Sequence, residues 1–288
     1  MKSLCLLVII FLFAVVGGCE SNPTSITDSS HRQKGLALII ANSYESGNHL
    51  EHTFNDAKKI ERVLKSFCFE VILKTDQSKE DMEGAVFKFA QRLKSEQPKT
   101  GLFYFMGHSA FSKKEKAFLL PTNNNNIFGP NYLEDNAVPV TLILNETVEN
   151  AKSIIILDAC YVNPYSEPES NSEIENNICG KSSKIKPTST GDYFIAFPSG
   201  GGEISQKSLY ADTLVRVEEA TNEDQGISIS NLFIKVKEKF KEIYKENLDK
   251  IPHFKSSAWD FTFKKECSDK SPHNLCFVDG CVLSPILP

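Results

Sequence analysis

Four short apolar runs separated by helix-length segments constrain this chain more than any other feature. The runs are 36–41 (LALIIA), 69–74 (FEVILK), 101–106 (GLFYFM) and 153–159 (SIIILDA). Each is nearly continuous in apolar residues, as in a strand buried on both faces. Between the first two, 54–67 places Ala57, Ile60, Val63, Leu64 and Phe67 at helical spacing. A second helix opens at Ser78, with Asp81 three residues on, and carries Met82, Val86, Phe89, Ala90 and Leu93. A third is expected over 140–149. This alternation predicts an α/β fold, a three-layer α/β/α sandwich whose central sheet is mostly parallel and has about six strands. Composition agrees: 288 residues, 41% hydrophobic and 24% charged, exclude a disordered or collagen-like chain. A net charge of −5 argues against a general nucleic-acid binder.

The rhythm breaks over 161–191, which is rich in Ser, Asn and Pro and poor in large apolar residues. A segment of that length inside a compact domain reads as a functional or linker loop. Regular structure resumes with a strand at 192–197, helices near 208–219 and 228–247, and a strand-like stretch at 258–263. Residues 117–120 read as a short hairpin arm, 42–52 as a loop, and Asn123–Asn126 as a polar loop.

The amino end reads as an export signal. Lys2 precedes thirteen apolar residues, Leu4–Val16, and Gly17-Gly18 follows. The run is too short to span a bilayer. Val16-Gly17-Gly18-Cys19 resembles a bacterial lipobox, with Cys19 as the lipidated residue, and free secretion is the alternative. The expected organisation is a signal peptide at 1–18, a polar tether at 19–33, and a domain at 34–264 (large part to about 160, linker 161–191, small part 192–264). A Cys-containing tail follows at 265–288. An exported chain meets an oxidising compartment, so at least one disulfide is expected in the tail among Cys267, Cys276 and Cys281. The rival is zinc, but C-x8-C-x4-C with His273 inside matches no standard ligand spacing.

Ligands of an open parallel sheet bind at the carboxyl ends of its strands. His108 follows the third apolar run and Cys160 the fourth. If those strands are neighbours, both residues reach one rim. A cysteine near neutral pH needs a base or cation beside it to become thiolate, and histidine is matched to that task. Taken singly, each is more simply a core cysteine or a capping histidine. Paired at adjacent strand ends, they form a candidate dyad.

Several segments, in order, resemble the caspase–metacaspase family of cysteine peptidases, especially bacterial metacaspase-like members. They are Gly35–Asn42, Phe54-Asn55-Asp56-Ala57, Phe103–His108, Phe118-Leu-Leu-Pro121, Leu133-Glu-Asp135 and Ile154–Cys160. Asp-Ala-Cys stands where caspases carry Gln-Ala-Cys. The resemblance runs from about Gly35 to Phe263. It implies Cys160 as nucleophile, His108 as general base and acid, and an oxyanion site made by backbone N–H groups of Gly107, Ser109 and Cys160. It also implies a primary pocket lined by Asp56 and Asp158, favouring Arg or Lys before the cut. The partner is then a protein or peptide, with no cofactor, no metal, no nucleic acid, and membrane contact only through a lipid on Cys19. A monomer is expected.

Some positions depart from the family. Ser109 replaces a Gly and would crowd the oxyanion site if its φ were positive. Met106 stands where small residues are common, and Tyr161 where Arg or His is frequent. Only Glu134, Asp135 and Glu167 stand near a calcium-site position, so no calcium requirement is expected. Gly200-Gly201-Gly202 lacks the Lys-Ser/Thr of a phosphate loop and is assigned to the substrate groove. Cleavage in the linker, after Lys181, Lys184 or Lys186, is expected if the chain processes itself. The alternatives are a pseudo-protease that keeps the fold for binding, and a flavodoxin-like domain with a phosphate-cradling loop after its first strand.

Overall fold

The computed structural model describes residues 35–44, 49–112, 114–122, 132–161, 185, 187–188, 190–197, 209–221, 226–243, 252–257 and 261–265, and for 160, 161 and 209 the backbone alone. Outside that set fall the expected signal and tether with Cys19, most of the linker, and the Gly200–Gly202 triplet. Glu167 and the three tail cysteines fall outside it as well.

The chain runs β1 (Gly35–Ala41), α1 (Thr53–Ser66), β2 (Phe69–Thr75), α2 (Lys79–Glu96), β3 (Gly101–Phe111), β4 (Ala117–Leu119), α3 (Tyr132–Asn136), β5 (Val138–Pro139), α4 (Val140–Val148) and β6 (Ser153–Tyr161). Then follow β7 (Tyr193–Phe197), α5 (Leu209–Glu219), β8 (Ile227–Ser228), α6 (Ile229–Ile243), β9 (His253–Ser256) and β10 (Thr262–Phe263). The main sheet has the order β2-β1-β3-β6-β7-β9, with β4 paired to the end of β3 and β5 paired to β4. Strands β2, β1, β3, β6 and β7 are parallel, and β9 closes the edge antiparallel.

Strand alternation divides the core. Ala37, Ile39, Leu102, Tyr104, Ile154 and Ile156 face α1, α5 and α6, while Leu38, Ile40, Phe103, Phe105 and Ile155 face α2 and α4. Both groups are essentially withdrawn from water. Each large apolar side chain so buried contributes about 1.5–3 kcal/mol. This is the expected three-layer sandwich.

Helix α2 begins where its capping pattern predicts. The Ser78 Oγ accepts the Asp81 N–H at 3.1 Å and donates to the Asp81 carboxylate at 2.9 Å. Two strands differ from expectation in a way that matters for the site. β3 does not stop at Met106, and β6 does not stop at Ala159. Their ladder continues through Gly107↔Ala159, His108↔Cys160 and Ser109↔Tyr161. The extension is possible because β4 takes over the free edge of β3 from Ser109 onward, after β1 has ended. The sequence also concealed β9, β5 and β8, which have too few residues to show a period, whereas β10 (Thr262–Phe263) falls at the end of the strand-like stretch expected at 258–263.

Candidate active site

The rim at the carboxyl end of the sheet is built by the last residues of β3 and β6 and the loop that leaves β1. His108 and Cys160 are register partners on adjacent strands. Neighbouring strands lie about 4.8 Å apart, and residues in register share a face of the sheet. The backbone thus places positions 108 and 160 side by side near the carboxyl ends of adjacent strands. The difference from expectation is that both sit inside the strands rather than after them.

His108 is 3% exposed and is held from both sides along the chain. Its N–H donates to the Tyr44 hydroxyl at 2.8 Å, and its C=O accepts the Leu120 N–H at 2.9 Å. The Tyr44 ring lies against the imidazole, centroids 4.4 Å apart and planes inclined at 42°. One residue earlier, a Cβ on Gly107 would come within 2.7 Å of both the Phe105 ring and the Tyr44 hydroxyl, so only glycine fits. Ser109 has no positive φ. The condition under which its Cβ would crowd the oxyanion site is therefore not met.

Asp158 belongs to the same face as Tyr104, Met106 and Ile156 and accepts the Tyr104 hydroxyl at 3.1 Å. Burial pushes its carboxyl up to about 7; the Tyr104 hydrogen bond opposes that shift and the nearby Asp56 charge adds to it. The Tyr104 phenol is pushed well above its usual range by burial and by Asp158, and the Tyr210 phenol beside it likewise. Met106 fills core space under the rim, which accounts for a large residue at that position.

Asp56, in the first turn of α1, is 3% exposed. Its carboxyl is also raised, chiefly by burial, with Lys59 opposing. Lys59 Nζ sits 2.9 Å from Asp56 and 2.7 Å from Asp212 of α5, so one cation bridges two carboxylates. Beside them lies an open groove of about 790 Å³, lined by this triad and by His52, Asn55, Lys58 and Arg62 of α1 and its approach. Neither His108 nor Asp158 is among the residues that line that groove. The two carboxylates predicted to act together are thus electrostatic neighbours, but Asp56 already has a counter-ion. The Asp56–Lys59 spacing was visible in the sequence; Asp212, 153 positions away in the chain from Lys59, was not. Tyr104 was readable in principle, since it shares strand parity with His108.

The first two residues after β1 give their backbone donors to the protein itself. Asn42 N–H goes to Met106 O at 2.9 Å and Ser43 N–H to the Asp76 carboxylate at 2.8 Å. That leaves no phosphate cradle of the flavodoxin kind in these residues. Among the described residues no group of three or more His, Cys, Asp or Glu side chains is placed to hold a metal.

Fold and rim together define an α/β sandwich with a histidine and a cysteine in register on its central strands. The chain belongs to the peptidase family defined by the caspase domain, whose family model matches residues 34–263. That family consists of cysteine peptidases, so its substrates are proteins. No curated protein matches the chain closely enough to be counted a relative.

Proposed function

We propose that the protein is a cysteine endopeptidase in which Cys160 is the nucleophile and His108 its general base and acid. The register of His108 against Cys160 at the sheet rim carries this reading. The thiolate attacks the peptide carbonyl, and the protonated imidazole gives its proton to the departing amine. Water, deprotonated by the same imidazole, then releases the acyl group and restores the sulfur. Backbone N–H groups of Gly107, Ser109 and Cys160 are the candidate oxyanion donors. The N–H of His108 itself is committed to Tyr44.

Asp158, supported by Asp56, selects Arg or Lys before the scissile bond. A cationic side chain beside Asp158 restores its charge, and Lys59 must yield part of its hold on Asp56 for that carboxylate to take part. Self-cleavage, where it occurs, falls in the linker. Ile185 is buried in the core beneath α4, and Thr188 donates to the Asn145 side chain at 2.8 Å, which anchors the end of that linker. Lys181, farthest from the anchor, is the favoured site over Lys184 and Lys186. Export, with or without a lipid on Cys19, is part of the same proposal. No helix of the described residues is long and apolar enough to cross a membrane.

Fluorogenic peptides ending in Arg, Lys or Asp, assayed with and without reductant, test the reading. We expect hydrolysis of the first two and its loss in Cys160→Ala. Hydrolysis that survives Cys160→Ala refutes it. The binding-only alternative predicts no turnover by the wild type, and nothing at Ser109 favours it.

A further inference from the structure

Strand β1 ends at Ala41, one residue short of Asn42, whose carbonyl would accept the His108 amide if the parallel ladder continued. Its last contact to β3 is Asn42 N–H to Met106 O. The next inward-facing donor on that edge of β3 is the N–H of His108, and β4 pairs only from Ser109. A buried amide left there without an acceptor costs about 1–3 kcal/mol and loosens the strand that carries the imidazole. The chain fills the gap with a side chain. Tyr44 turns back through a left-handed conformation, φ 60°, which non-glycine residues adopt at a cost of about 1–3 kcal/mol and only where the surroundings hold them.

Those surroundings are specific. Asn42 is fully buried, donating to Leu120 O at 3.1 Å and accepting the Gln77 N–H at 3.0 Å. Ser43 is clamped by Asp76 through its N–H and hydroxyl, and its C=O accepts the Leu50 N–H at 2.8 Å. The Tyr44 hydroxyl then accepts from His108 N–H at 2.8 Å and donates to Leu120 O at 2.6 Å. Leu120 in turn donates its own N–H to His108 O. One phenol therefore closes a ring of bonds around the His108 peptide while its face packs on the imidazole.

We infer that Tyr44 is a positioning residue for the dyad: its hydroxyl replaces the missing strand partner and fixes where the His108 imidazole stands relative to residue 160. The inference rests on the proposed Cys160–His108 chemistry. A misplacement of about 1 Å at such a group is enough to lower turnover ~100-fold. A thiolate stabilised by a neighbouring imidazolium also persists to lower pH than a free thiol of pKa about 8.5.

The test compares wild type, Tyr44→Phe, His108→Ala and Cys160→Ala in the full chain. Turnover of an Arg peptide and the pH profile of iodoacetamide alkylation at Cys160, located by peptide mapping, are measured for each. Tyr44→Phe is expected to keep KM within about twofold, to lower kcat 10–100-fold, and to move the alkylation limb toward ordinary thiol pH. A purely structural role moves stability but not the alkylation limb. Unchanged kcat and alkylation in Tyr44→Phe, with an active wild type sensitive to His108→Ala, overturns the role of Tyr44 alone. A wild type whose turnover and alkylation ignore His108→Ala overturns the dyad and the inference with it. If Tyr44→Phe does not fold, 3-fluorotyrosine placed at position 44 keeps the shape and weakens the oxygen as an acceptor. It is expected to shift the limb in the same direction by less, and no shift overturns the proposal.

Discussion

Asp158 stands in surroundings that its ionised form does not prefer. Burial holds its carboxyl near 7, so the folded chain binds a proton there more tightly than the unfolded chain does. The stabilisation is complete at pH below the ordinary carboxylate value, 3.8, and is lost as pH rises through about 7. Asp158→Asn removes that loss. At pH 8 the variant should unfold at a higher urea concentration than wild type, and an equal or lower midpoint contradicts the assignment. In the proposed pocket the same carboxyl must be charged to hold Arg or Lys. The KM for an Arg peptide should therefore rise as pH falls below about 7, and in Asp158→Asn it should rise ~10–100-fold, the size of a lost charge-assisted hydrogen bond of roughly 1.5–3 kcal/mol. A flat KM across pH 5–8 (about the working range for such an assay) removes Asp158 from the pocket.

At the scale of elements, the site depends on β3 running straight past the end of β1. Gly107 permits this, because any Cβ there strikes the Phe105 ring and the Tyr44 hydroxyl. Gly107→Ala is expected to lower stability by about 1–3 kcal/mol, as overpacking does, and to lower kcat more than it raises KM. An Ala variant with wild-type melting and turnover contradicts this account of the strand. The sequence announced β1, α1, β2 and α2 within a residue or two, because continuous apolar runs, helical spacing and a Ser-x-x-Asp cap are local signals. It did not announce the length of β3. Gly107-His108-Ser109 has no strand-like composition, and what keeps it extended is pairing to β6 on one side and β4 on the other. Tyr44 was hidden for the same reason: its role depends on where β1 stops, not on its neighbours in the chain.

Over the whole molecule, two half-buried groups on β6 and β9 respond to acid in opposite directions. His253, on the edge strand β9, stacks on Phe197 with centroids 4.7 Å apart. Burial, with the charges of Lys255 and Lys237, lowers its imidazole to about 4. Its contribution is present above the ordinary value of 6.5 and is lost as pH falls toward 4. Asp158 gains stability over much of that same fall. The two should partly offset, leaving wild-type stability weakly dependent on pH between about 4 and 7. Asp158→Asn should steepen the loss in acid, and His253→Phe should reverse its sign. Parallel slopes for all three proteins contradict the account. The three layers were legible from apolar periodicity, and the neighbouring positions 108 and 160 from two strand ends. Edge strand β9 was not, since in His253–Ser256 only Phe254 is apolar and joins the core.

The proposed chemistry requires Cys160 and His108 to act as one unit, and an electrophilic peptide ending in Arg reads this directly. Incubated with the native chain, it should leave a single covalent adduct that peptide mapping locates on Cys160. His108→Ala should slow adduct formation at least ~100-fold, the order of a general base's contribution. An adduct that forms as fast without the imidazole, or on a different cysteine, contradicts it.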